Sequence, residues 1–131
     1  MRFKFLACLA FVSACAQDET VFSYGAGERS FVLQSIDGAP VGARATLSFP
    51  APGRISGQAP CNSFSGTQTV PYPWFNAGPL AVTRRACPDL AAEQAFLTAL
   101  SEMTLVKVEE GTLRLSNDAG REMIFSQQPD G

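Results

Sequence analysis

Residues 1–15 set the frame for everything that follows, because they do not read as part of a folded domain. Arg2 and Lys4 form a short basic start, and Phe5 to Val12 is a continuous apolar run. That run is about half the length a helix needs to cross a bilayer, and it has the order of a cleavable export signal. Two cleavage readings stand side by side. Val12-Ser13-Ala14-Cys15 has the form of a bacterial lipobox, in which Cys15 is acylated and becomes the N-terminus. Ala14-Cys15-Ala16 also satisfies the A-x-A rule of ordinary signal peptidase, which would leave Gln17 first. The lipobox is the more specific signal because it requires a cysteine at one position. On that reading the chain is an outer-membrane lipoprotein facing the periplasm, its membrane partner reached through the acyl chains on Cys15; two or more such chains anchor a protein stably. On the other it is a free periplasmic domain.

The export reading also sorts the four cysteines. Cys8 leaves with the signal and Cys15 is taken by lipidation, so Cys61 and Cys87 remain. An isolated pair in an oxidising compartment is expected to bond. Closing a loop of 26 residues is worth roughly 3–4 kcal/mol in the chain-entropy model. The alternatives are two buried free thiols or a metal site, and the latter would need carboxylates that do not cluster nearby.

Charge and composition exclude several classes of function. With Arg2 and Lys4 removed, 8 basic residues face 12 acidic ones, a net charge of −4. No basic stripe is available for a phosphate backbone, so nucleic acid is not an expected partner. The chain has no histidine. Ser-His-Asp and Cys-His nucleophile activation are thereby excluded, and so is the commonest transition-metal ligand.

Beyond the signal, residues 16–29 are polar, contain glycine and lack a sustained period, which predicts a tether. Residues 30–127 read as one domain and residues 128–131 as a polar tail. Strands are predicted at Ser30 to Ile36, Ala45 to Phe49, Gly53 to Gln58, Gly66 to Val70 and Gly78 to Thr83. Asp37-Gly38-Ala39-Pro40 reads as a turn. One helix is predicted over Leu90 to Met103, with Asp89 as its cap. Phe96, Leu97, Leu100 and Met103 form its apolar stripe, and Glu93 and Glu102 are expected to point elsewhere. Thr104 to Val108, Thr112 to Leu115 and Arg121 to Phe125 complete a meander, with Glu109-Glu110 at one tip and the Asn117–Gly120 turn at the other. Strands, one helix, then strands, without repeated βαβ spacing, predict an antiparallel α+β domain.

Several segments together resemble the META domain family, the HslJ-like group. Gly57-Gln58-Ala59-Pro60-Cys61-Asn62-Ser63-Phe64-Ser65-Gly66 is similar to its G-x-x-G-C-N-x-[FY]-x-G signature. Thr83-Arg84-Arg85-Ala86-Cys87 resembles its T-x-M-A-C element, and Glu93, Phe96, Leu97 and Leu100 its E-x-x-F-L-x-x-L helix. Phe31 to Val41 and Leu113-x-Leu115 are similar to the opening W-x-L and closing L-x-L segments. The sequence departs from the pattern at Phe31 (for Trp), at Ala59-Pro60 (for Gly) and at Arg85 (for Met). The resemblance implies a β-rich antiparallel curved sheet or cracked barrel with one packed helix. It implies no catalytic residue, cofactor or metal, and it carries an association with heat shock and with tolerance of novobiocin.

Asn62 is expected as a turn residue or as a side chain that satisfies a buried backbone group. Gly57 and Gly66 are expected to supply backbone freedom on either side. The candidate binding surface is Tyr72, Trp74 and Phe75, with Arg84 and Arg85. The aromatic loop reads first as a cap over the open end of the barrel, and second as a ligand lip or membrane-facing patch. The arginines read as a solvated pair. The expected function is a non-enzymatic, stress-related binding or structural role in the envelope, with an unknown envelope protein as partner. The alternative is a carrier of a small apolar ligand such as an acyl chain inside the barrel, for which seven of the chain's ten phenylalanines, those beyond Cys15, provide lining. An enzyme working through Asp, Glu, Lys, Ser or Thr is the third reading.

Overall fold

The computed structural model describes residues 17–129. The export signal, Cys8 and the lipidation site at Cys15 lie outside the described residues. In chain order the elements are β1 (Ser30–Ile36), β2 (Ala39–Pro40), β3 (Thr46–Ser48), β4 (Arg54–Gln58), β5 (Ser63–Thr67), β6 (Ala81–Val82), α1 (Leu90–Glu102), β7 (Leu105–Glu109), β8 (Thr112–Ser116) and β9 (Glu122–Gln127). A single 3-10 turn, Val21–Tyr24, precedes them. The strands form one antiparallel sheet in the order β6-β5-β4-β3-β1-β9-β8-β7, with β2 folded back on β1. The sheet does not close, so the α+β curved-sheet expectation holds in its open form.

Alternation along the strands puts one face inward. Phe31 and Leu33 of β1, Leu113 and Leu115 of β8, and Met123 and Phe125 of β9 are buried. Helix α1 fills the concave side. Its Phe96 ring lies 5.7 Å from Phe64 of β5 and 6.5 Å from Phe125 of β9, so one aromatic side chain links the two arms of the sheet. Aromatic pairs at these separations contribute about 0.5–1.5 kcal/mol each beyond their burial.

The turns follow their residues. Asp37 and Gly38 have φ of 52° and 81°, the positive pair that a two-residue hairpin needs and that Asp and Gly adopt most readily. The Asp37 carboxylate accepts from the Glu122 amide at 2.9 Å and from Arg121 Nε and Nη2 at 3.1 and 3.0 Å. The Glu122 amide, followed by Arg121, holds this carboxyl below its usual range. Arg121 also reaches Glu102 at 2.8 Å, which ties the end of α1 to the start of β9.

Four expectations are corrected. The tether ends earlier than its composition suggests: Val21 and Ala26 are fully buried, and Gly27 bridges Phe49. Two apolar residues suffice to dock a stretch too short to show a period. The strand expected at Gly66–Val70 is β5, three residues earlier. Gln68 takes the chain out of the sheet there, because its buried amide accepts from Asn76 N at 2.9 Å and donates to the carbonyls of Val70 and Trp74. The strand expected over Gly78–Thr83 shrinks to Ala81–Val82. Asp89 does precede the helix, but its side chain makes no capping hydrogen bond.

Gly57 also has a different reason from the one expected. It carries no positive φ. Instead, a Cβ there would lie 2.1 Å from the Thr46 carbonyl oxygen and 2.6 Å from the Phe64 ring. Gly66 is similar, with Leu80 Cδ2 at 2.9 Å. Gly57→Ala is therefore expected to push β4 from β3 and to lose about 1–3 kcal/mol, read as a lower urea midpoint at constant slope. An unchanged midpoint would contradict this packing.

Candidate functional site

The residues of the motif-bearing segments converge on one buried polar node. Cys61 and Cys87 are disulfide-bonded, with Cα atoms 5.9 Å apart. Asn62, next to this bond, is 4% exposed. Its Oδ1 accepts from the Arg85 amide at 2.5 Å and from Thr83 Oγ1 at 3.0 Å. Its Nδ2 donates to the Arg85 carbonyl at 3.2 Å and to Glu93 Oε2 at 2.7 Å. The side-chain amide thus pairs with both backbone groups of Arg85, as a neighbouring strand would. This is why β6 ends at Val82: beyond Thr83, whose amide donates to the Ser63 carbonyl, a side chain replaces the ladder.

Glu93 completes the node from the helix. It is 5% exposed, and its Oε1 accepts from the amides of Cys61 and Asn62 at 3.1 and 2.7 Å. A carboxylate in the first turn of α1 is also favoured by the helix dipole. The expectation that Glu93 points away from the apolar face is therefore wrong. Its spacing carried the signal: Glu93, Phe96, Leu100 and Met103 fall at i, i+3, i+7 and i+10, so a charge sits on the buried stripe. Among the described residues, no buried side-chain nitrogen or oxygen lacks a partner. Asn62 has no lone pair or N–H left for a ligand, and Glu93 accepts three hydrogen bonds, two at Oε1 and one at Oε2.

The predicted surface residues divide into two places. Phe75 is buried and its amide donates to the Thr104 carbonyl. Tyr72 is half-buried, stacks on Tyr24 at 4.7 Å and accepts from the Val108 amide through its hydroxyl. Trp74 is 55% exposed and bridges Leu105. The loop thus runs along β7 and covers the backbone of that edge, instead of the barrel end that the sequence suggested, since the sheet is open. Arg84 and Arg85 are exposed and border a separate groove beside Asn62 and Glu93. The structure does not join them to the aromatic loop. The interior proposed for an acyl chain is occupied by Phe31, Phe49, Phe96 and Phe125, each at most 1% exposed. The phenylalanines fill the core instead of lining a cavity.

A curved antiparallel sheet wrapped on one helix, and locked by a Cys-Asn/Ala-Cys/Glu node, defines a class of small β-rich domain. The META domain model matches residues 26–130, and the chain belongs to that family. A solution structure of a protein from Burkholderia xenovorans is 26% identical, covers 88% of this chain and 93% of its own, and superposes with a TM-score of 0.65. A second NMR structure is 28% identical, covers 75% and 87%, and gives 0.59. A DUF4847 family protein from Bacteroides vulgatus shares the fold at 18% identity, 63% and 57% coverage and a TM-score of 0.50. No curated protein matches the chain. Among the described residues, no helix is long and apolar enough to cross a membrane, and no three His, Cys, Asp or Glu side chains group as metal ligands.

Glu93→Ala leaves three donors, two of them buried, without their acceptor and is expected to lose about 3 kcal/mol. Glu93→Gln keeps an acceptor for the two backbone amides but sets its own NH2 against Asn62 Nδ2, with an expected loss of about 1–2 kcal/mol. Urea unfolding measures both. A Gln variant as stable as the parent would mean that the carboxylate is not needed for structure.

Proposed function

We propose that the protein is a non-catalytic module of the cell envelope, exported on residues 1–15, held at the membrane through an acylated Cys15, and serving a binding or structural role under stress. The observation that carries this reading is that the buried node is engaged in holding backbone. Glu93 and Asn62 are the buried carboxylate and carboxamide a chemist would first suspect, and both bind backbone groups and each other. The Cys61–Cys87 bond supports an oxidising compartment. The lipobox ending at Cys15 supports the anchor, and the family resemblance supports the link to stress.

The intact, non-reduced mass of protein taken from the envelope, with survival of a deletion strain, tests the reading. A chain that begins at Cys15, carries acyl groups and is two hydrogens short is expected. So is greater sensitivity of the deletion strain to heat or amphiphilic drugs, restored by the parent gene. A mass beginning at Gln17 without lipid would make the protein a free periplasmic domain, and unchanged survival under both stresses would remove the stress role.

A further inference from the structure

The point where the N-terminal chain joins the domain fixes which face a membrane anchor would hold toward the bilayer. The Tyr72 amide donates to the Glu19 carbonyl at 2.6 Å. Asp18 accepts from the Thr20 amide and hydroxyl and from Ser23 Oγ, so the chain is pinned from Asp18 onward. The pinning point is the aromatic loop itself. Next to it, Tyr24 is stacked on Tyr72, and Trp74 follows two residues later along the same edge strand. The three exposed large hydrophobic side chains among the described residues are Tyr24, Trp74 and Leu90, and two of them are here, 52% and 55% exposed.

We propose that Tyr24 and Trp74 seat in the lipid–water interface of the membrane that holds Cys15, docking the β7 edge of the domain flat against the bilayer. This rests on the anchored reading above. Cys15 and Glu19 are four residues apart, so their Cα atoms lie within about 14 Å of each other. A domain of this length has a radius of gyration of about 13 Å, so a tether that short cannot carry the opposite face to the membrane. The surface chemistry suits the occupant. Tyr and Trp combine an apolar body with a polar tip and favour the headgroup level. Tyr72, Pro73 and Leu105 line an adjoining surface groove of about 460 Å³, bordered by Lys107 and Arg114. Each of these cations is already paired, Lys107 with Glu109 and Arg114 with Glu122. Docking is therefore carried by the aromatic rings and not by a positive field, and it does not require anionic lipid.

Trp74 is the chain's single tryptophan, so its fluorescence reports on this face directly. The native protein, purified from envelopes and checked by intact mass, is reconstituted into phosphatidylcholine vesicles with and without lipids brominated near the headgroup. A blue-shifted emission and a loss of fluorescence in the brominated vesicles, both insensitive to salt, are expected. Acylated protein with the unquenched emission of a water-exposed tryptophan would overturn the docking and leave the anchor standing. Protein without acyl groups and without quenching would overturn both.

Discussion

The buried carboxylate of Glu93 is the interaction on which the architecture depends. An uncompensated charge at that depth would be strongly destabilising. Here it is solvated by the amides of Cys61 and Asn62 and by the Asn62 side chain, and those groups in turn need an acceptor. The two requirements satisfy each other only if the first turn of α1 lies directly against the loop between β4 and β5. The disulfide closes the same junction covalently. Asn62 extends it to the segment after β6 through both backbone groups of Arg85. The loop before β5, the segment after β6 and the first turn of α1 meet in one place, and Phe96 then falls between Phe64 and Phe125.

With one end of the sheet locked to the helix, the other end sets the outer surface. The sheet stops at β7, and an exposed edge is a template for unwanted pairing. The loop through Tyr72, Pro73 and Trp74 covers it: the Val106 amide donates to Pro73 and the Phe75 amide to Thr104. Because the entering chain is hydrogen-bonded to this loop at Tyr72, it joins the domain on the same face that the loop protects.

Much of this was legible in the sequence. Apolar patterning located the strands β1, β3 and β8, helical spacing located α1, and Asp37-Gly38 and Asn117–Gly120 marked their turns. The cysteine count gave the bond, and Asn62 was readable as a group that satisfies backbone. What escaped was non-local. Gly57 is glycine because of a carbonyl eleven positions earlier, which no local pattern reveals. Gln68 ends a strand by satisfying a loop that follows it. Val21 and Ala26 dock with too few apolar neighbours to make a period. Glu93 was misread because a charge on a helix is normally solvated, although its place on the Phe96 stripe argued otherwise.

If the Glu93–Asn62 node holds the architecture together, it opens only when the whole domain unfolds. Native-state hydrogen exchange of the amides of Cys61, Asn62 and Arg85 tests it most directly, since loop amides ordinarily open at little cost. All three are expected to exchange as slowly as the amides of Leu33 and Phe125 in the centre of the sheet, through global unfolding. Exchange at the rate of exposed loops, with the sheet still protected, would show that the node is a surface latch and would contradict the account.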